Sequence, residues 1–312
     1  MTKPVVLQIA GYPAWDQEPL EAAYTMRRYD HAVNKAAFLA EEGPKVRAIA
    51  TTGGHGVPAD VLAACPRLEM ISIYGVGYDA VDISACRARG IRVTNTPDVL
   101  TGDCADLAVG MVLALSRGIV KAEDWARSGE WQRAGFPLQR RVWGSRVGIL
   151  GLGRIGVEVA RRMEGFGCPI AYSARSRKDV AWTYLPDPVA LAEWSDILIL
   201  TALADGATRH IVNAPVLKAL GPEGLFVNIS RAANVDEEAL IQALHAGTIA
   251  GAALDVFEGE PNFDPRFLTL GNVMLQPHHA SGTVQTRKAM GQLMRDNLAA
   301  HFAGKPLLTQ VV

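Results

Sequence analysis

The stretch "VGILGLGRIGVEVARR", residues 147–162, decides the fold. It opens with an apolar run of the length of a buried strand and continues as a helical pattern. Between the two stand Gly151, Leu152, Gly153, Arg154, Ile155 and Gly156. A G-x-G-x-x-G turn set between a strand and a helix is a dinucleotide-binding signature, which the same glycines without that context are not. Gly151 permits the tight turn, Gly153 lets a pyrophosphate approach the backbone, and Gly156 lets helix and strand pack closely. The anionic phosphates then sit at the helix N-terminus, where free N–H groups and the dipole favour them. The bland alternative is a tight strand–helix turn with no ligand.

Outward from this turn, short apolar runs alternate with helical patterns. Strands are expected at 5–10, 46–52, 68–75, 91–96, 146–151, 169–174, 196–202, 224–230, 249–256 and 272–277. Near-continuous apolar runs of this length suit parallel strands covered on both faces. Helices are expected at 157–167 and 236–247, the second opening on acids and stopping at Gly247. Repeated βα units imply an α/β protein with parallel sheets. A long apolar helix over 103–129 separates a first strand set from a second, and another helix covers about 283–303. Two sheets in two domains follow.

The composition is that of an ordinary soluble globular protein: 312 residues, 49% hydrophobic, 20% charged, net charge −1. That balance gives no pull toward nucleic acid or an anionic membrane. No window reaches the roughly 20 apolar residues that span a bilayer. The N-terminal residues read as a first strand rather than a signal peptide. Cys65, Cys86, Cys104 and Cys168 form no C-x-x-C pair and no metal-ligand spacing, so no metal is expected and a reduced, cytoplasmic setting fits.

The next strand carries "YSARSRK", 172–178. An acid that grips a ribose diol is expected about 20 residues after the glycines. Ser173 and Ala174 stand there instead, followed by Arg175, Ser176, Arg177 and Lys178. A carboxylate would repel a 2′-phosphate, whereas arginine forks suit one. The expected cofactor is NADPH, with NADH used less well. A solvated basic loop is the alternative.

Three further stretches follow strand ends, where open α/β sheets bind ligands. "NISRAANVDEEAL" carries Arg231, "GAALDVFEGEP" carries Asp255, Glu258 and Glu260, and "QPHHASG" carries His278 and His279. An arginine, an acid and a histidine suit reduction of a 2-keto acid. The arginine clamps the carboxylate and polarises the carbonyl, the histidine donates a proton, and the acid stabilises the protonated histidine. Taken singly, each has a bland reading: a surface Arg, a loop Glu, a capping His.

Nearly the whole chain resembles the D-2-hydroxyacid dehydrogenases, and most the branch of glyoxylate/hydroxypyruvate and hydroxyphenylpyruvate reductases. The resemblance rests on "GVGYDAVD" (75–82), "NTPDVLTGDCADLAVG" (95–110), "VGILGLGRIG" (147–156), "NISRAANVDEEAL" (228–240), "GAALDVFEGEP" (251–261) and "PHHASGTVQTR" (277–287). It implies Arg231 as the catalytic arginine, Glu260 as the acid before proline, and His278 as the catalytic histidine. Glu258 becomes a bystander. His279 stands where relatives carry a small or aliphatic residue. The amides of Val76 and Gly77 are implied to bind the substrate carboxylate, with Gly54 and His55 of the loop 51–56 on the substrate side. Thr101 and Asp255 are implied near the nicotinamide, and Ala202 and Leu203 beneath the adenosine; the strand end and basic loop add Ser173, Arg175, Ser176 and Arg177 as expected cofactor contacts.

The resemblance also implies a flavodoxin-like substrate domain, 1–97 plus 284–312, and a dinucleotide-binding Rossmann domain, 98–283, with the active site in the cleft between them. The helix near 103–125 is implied to form a two-fold homodimer. The leading expectation is an NADPH-dependent reductase of glyoxylate and hydroxypyruvate. One rival keeps the chemistry with bulkier acids such as hydroxyphenylpyruvate or 2-ketogluconate. Another is a non-catalytic, dinucleotide-sensing interaction protein.

Overall fold

The computed structural model describes residues 3–312, and the chain divides into two compact units. One comprises residues up to Leu100 together with Gly282–Val312; the other is Thr101–Ser281.

The first unit is built on a five-stranded parallel sheet of order β2-β1-β3-β4-β5. Its strands are β1 (Val5–Gln8), β2 (Thr25–Arg28), β3 (Ala48–Thr52), β4 (Met70–Tyr74) and β5 (Arg92–Thr94). β3 and β4 are buried along nearly their whole length, because helices cover both faces. Leu7, Ile49, Ile71, Ile73 and Val93 form the centre of its core. The C-terminal helix Val284–Phe302 returns to this unit, where the Ser72 hydroxyl donates to the Met294 carbonyl at 3.2 Å and the Tyr74 hydroxyl to that of Arg287 at 2.6 Å.

The second unit carries a seven-stranded parallel sheet of order β12-β11-β10-β9-β6-β7-β8. Its strands are β6 (Val147–Leu150), β7 (Ile170–Ser173), β8 (Thr183–Tyr184), β9 (Ile197–Leu200), β10 (Leu225–Asn228), β11 (Gly251–Leu254) and β12 (Val273–Leu275). The order reverses direction between β6 and β9, which creates a crevice at their carboxyl ends. Its core gathers Leu198, Leu200, Phe226, Leu240, Ala252 and Phe267. Each leucine or phenylalanine among them stabilises the fold by about 1.5–3 kcal/mol on burial.

All ten expected strands are present, shortened at their ends. β2 and β8 were not expected. The long helix expected over 103–129 is two: Thr101–Arg117 and Ile119–Arg127. Gly118 between them has φ +58, a left-handed conformation that stops one helix and redirects the chain into the next.

Candidate active site

The glycine turn follows β6 directly. Gly151 has φ +103, and a Cβ there would run into the backbone of Ala202 just beyond β9. A Cβ on Gly156 would collide with the Gly151 carbonyl and come within 2.8 Å of the Thr201 hydroxyl, which itself donates to Gly151. The turn therefore packs against the next strand only without side chains. Gly153 occupies the N-cap of the helix Arg154–Glu164, and no side chain caps that end. An uncapped helix start at the sheet's switch point is where a pyrophosphate binds. These residues fit a dinucleotide. Gly156→Ala should destabilise the fold by about 1–3 kcal/mol through overpacking, read as a lowered melting temperature. An unchanged melting point would show that the contact is not tight.

The neighbouring loops complete this side. The Ala202 carbonyl accepts the Ser230 hydroxyl at 2.7 Å and the Asn234 amide at 3.0 Å. Leu203 is 39% exposed, and its carbonyl accepts the Thr208 hydroxyl. Thr101 begins the helix Thr101–Arg117, which is tied to the glycine-turn helix by Arg162 donating to Asp106 at 2.6 Å.

Arg175, Ser176 and Arg177 are exposed just past β7. Their loop is anchored from below: the Lys178 amide donates to the Tyr172 hydroxyl at 2.7 Å, and the Tyr184 hydroxyl donates to the Ala174 carbonyl at 3.1 Å. The Arg175 guanidinium is 79% exposed and lies 3.7 Å from the Asp205 carboxylate, a weak surface pair. Ser173 does not join this cluster. It is buried, and its hydroxyl donates to the Pro186 carbonyl at 3.0 Å.

Three loops after β10, β11 and β12 bring the chemistry together. His278 Nδ1 lies 2.6 Å from Glu260 Oε2. Glu260 Oε1 accepts the Phe257 amide at 2.7 Å, so both carboxylate oxygens are held. Burial works to raise the Glu260 pKa, but the His278 hydrogen bond, the Phe257 amide and the charges of His278 and Arg231 together hold it below the usual value. Arg231, one residue after Ser230, is half-buried and donates to the Ser230 carbonyl at 2.8 Å. Its electrostatic reach to Glu260 places all three groups in one field.

Asp255 is buried. Its carboxylate accepts the amides of His279 at 2.8 Å and Ala280 at 2.9 Å. Burial pushes its pKa up, and the two amides oppose that. Its structural task is to seat the residues that follow His278, whose own φ of +49 is uncommon outside glycine. His279 points elsewhere, its ring 2.7 Å from Gln276 Oε1. Glu258 is exposed and makes no bond to His278; its amide donates to Glu237.

In the first unit, the Val76 and Gly77 amides follow β4 and have no internal acceptor among the described residues. The Asn95 amide holds the Val76 carbonyl at 2.8 Å. Gly54 has open space around it, and the exposed His55 ring nitrogen Nδ1 lies 2.8 Å from the Thr52 hydroxyl.

The sequence reading missed the supports of these groups. The Phe257 amide under Glu260 has no sequence signal. Tyr172 and Tyr184 do, because two tyrosines on adjacent short strands at a sheet edge can present hydroxyls to the loop above.

Comparison with known proteins agrees with this architecture. Residues 109–280 match the family model of the D-isomer specific 2-hydroxyacid dehydrogenase, NAD binding domain. The fold matches the 2-hydroxyacid dehydrogenase from Ketogulonicigenium vulgare Y25, with 64% identity, a TM-score of 0.93, and coverage of 100% of this chain and 99% of that one. It also matches the NADPH-dependent glyoxylate/hydroxypyruvate reductase from Sinorhizobium meliloti, solved in complex with NADP and malonate. That structure is 44% identical with a TM-score of 0.94, over 100% of this chain and 97% of the other. Hydroxyphenylpyruvate reductase from Plectranthus scutellarioides is 45% identical over 98% of both chains.

Proposed function

Because the chain belongs to the D-isomer specific 2-hydroxyacid dehydrogenase family, we propose that it reduces the small 2-keto acids glyoxylate and hydroxypyruvate to 2-hydroxy acids with NADPH. The observation that carries this reading is the 2.6 Å bond between His278 and Glu260 within the field of Arg231.

When bound, the reduced nicotinamide supplies a hydride to the keto carbon. Arg231 holds the substrate carboxylate through its planar fork and draws electron density from the carbonyl. His278, with Nδ1 engaged by Glu260, presents Nε2 and delivers the proton to the carbonyl oxygen. Glu260 orients the ring and stabilises its charged form. We assign Val76, Gly77, Gly54 and His55 to the substrate. The glycine turn, Thr101, Ala202, Leu203 and Asp255 are assigned to the cofactor.

The loop with Arg175, Ser176 and Arg177 supports NADPH over NADH, as does the relative solved with NADP. A charge-assisted contact is worth about 1.5–3 kcal/mol, so Arg175→Ala should raise the KM for NADPH about tenfold or more and leave that for NADH nearly unchanged. An unaltered preference would remove Arg175 from the 2′-phosphate site. The reductase reading is tested with glyoxylate, hydroxypyruvate, pyruvate and phenylpyruvates, each with NADPH and NADH. No turnover with any of them would sink it.

The similarity to hydroxyphenylpyruvate reductase favours a second reading, in which bulkier acids are the better substrates. The assembly we propose is a homodimer. Ile119, Val120, Trp131 and Leu138 are each exposed by more than half, apolar side chains that a partner copy would cover. We further propose a cytoplasmic setting, which the four free, buried cysteines support, and no nucleic-acid partner, in keeping with the net charge of −1.

A further inference from the structure

The first unit contains a cavity of about 340 Å³ that the roles above leave unused. It opens where β1, β3 and β4 end and where the helix Val284–Phe302 begins, the side of a parallel sheet on which ligands bind. Its walls are Tyr12, Trp15 and Tyr74, with Thr52 and Arg287. The two tyrosine rings stand 5.5 Å apart. Both hydroxyls are engaged: Tyr12 donates to the Thr51 carbonyl at 3.0 Å and Tyr74 to the Arg287 carbonyl at 2.6 Å. Burial raises the pKa of both phenols, so these walls are fixed and neutral.

Among the described residues, Arg287 is the one charged residue that lines the cavity. Among the described residues no hydrogen bond or ion pair takes up its guanidinium. The neighbouring Lys288 lies over the Trp15 ring at 5.6 Å and adds positive charge at the rim. The nearby acids are already matched, Asp30 to Arg28 at 2.7 Å and the buried Asp16 to Arg295. A half-buried arginine that lines the cavity, close enough for its charge to act on the Tyr74 phenol and with no carboxylate of its own, is a receptor for a carboxylate from outside. Tyr74 lies two residues before Val76, at most about 7 Å of chain from the open amides of Val76 and Gly77. Two anion-seeking sites therefore share one short stretch of backbone.

We propose that this cavity takes the distal carboxylate of a 2-oxo dicarboxylic acid, held by Arg287 between the rings of Tyr12 and Tyr74. The proposal rests on the reductase reading for its chemistry, and it makes such diacids preferred over monoacids of equal length. The test compares kcat/KM for 2-oxoglutarate with that for 2-oxopentanoate, the same chain without the second carboxylate. The wild-type protein should favour 2-oxoglutarate about tenfold or more, the effect of one charge-assisted contact. Arg287→Ala should abolish the preference, and Arg287→Lys should restore part of it. A wild-type protein without the preference, or an Arg287→Ala protein that keeps it, overturns the proposal. Should the variants fail to fold, calorimetric titration of the wild-type protein with glutarate and pentanoate decides. About tenfold tighter binding of glutarate supports the subsite, and equal binding rejects it. Turnover of glyoxylate without any diacid preference defeats this proposal alone; no turnover of any 2-keto acid defeats the reductase reading instead.

Discussion

Replacing His278 with alanine should lower kcat about 10²–10⁴-fold, the range that a positioned general acid contributes. The geometry argues for a proton donor that is built in place rather than merely present. Nδ1 is fixed by Glu260 at 2.6 Å, and Glu260 is fixed by the Phe257 amide at 2.7 Å. The backbone just after His278 is held by two bonds to the buried Asp255. His279→Ala should do far less, since its ring meets Gln276 instead. If His279→Ala were the damaging change, the pair would be wrongly assigned.

The pH dependence follows from Glu260. Its pKa is held below the ordinary carboxylate value, so it stays ionised above that value and loses its charge only as pH falls through the depressed one. Its stabilising bond with His278 is lost in the same direction. The kcat/KM profile should therefore show no acid limb from Glu260 down to about pH 4, the usual carboxylate range. A limb at pH 5–6 that disappears in Glu260→Gln would contradict this.

What was legible in the sequence depended on burial. Strands covered on both faces, such as β9 with Ile197–Leu200 all buried, appear as apolar runs and were found. β2 and β8 lie at the sheet edges, the first half-buried with Arg27 and Arg28 and the second only Thr183–Tyr184, so neither produces such a run. The break at Gly118 was invisible because one glycine within a helical pattern is ordinarily tolerated. In the site, Glu260 and His278 were separable from Glu258 and His279 by motif, and the structure pairs the first two directly. Asp255 was not legible as a seat for the histidine loop. A carboxylate that accepts amides 24 and 25 residues away leaves no local pattern. Ser173 was expected at the cofactor from its place after the glycine turn; its hydroxyl donates to the Pro186 carbonyl, a partner that no local pattern announces.

Arg231→Ala should lower kcat/KM about 10²–10³-fold or more, the cost of removing one preorganised electrostatic donor. Arg231 has extended backbone, φ −143 and ψ 146, between Ser230 and a short turn over Ala232–Asn234. One guanidinium nitrogen donates to the Ser230 carbonyl at 2.8 Å, which orients the fork before any substrate arrives. A carboxylate clamp binds ground state and transition state alike and acts through KM. Polarising the carbonyl acts only as charge develops on oxygen and is read in kcat. Both parameters should therefore worsen. Arg231→Lys should recover only part of the loss, because an ammonium keeps the charge without the bidentate geometry. Arg231 also helps hold the Glu260 pKa down, so its removal should let that pKa rise and move any acid limb to higher pH. A melting temperature equal to wild type would show that the loss is chemical. Near-wild-type kcat/KM in a folded Arg231→Ala protein would exclude Arg231 from the reaction, and the mechanism above with it.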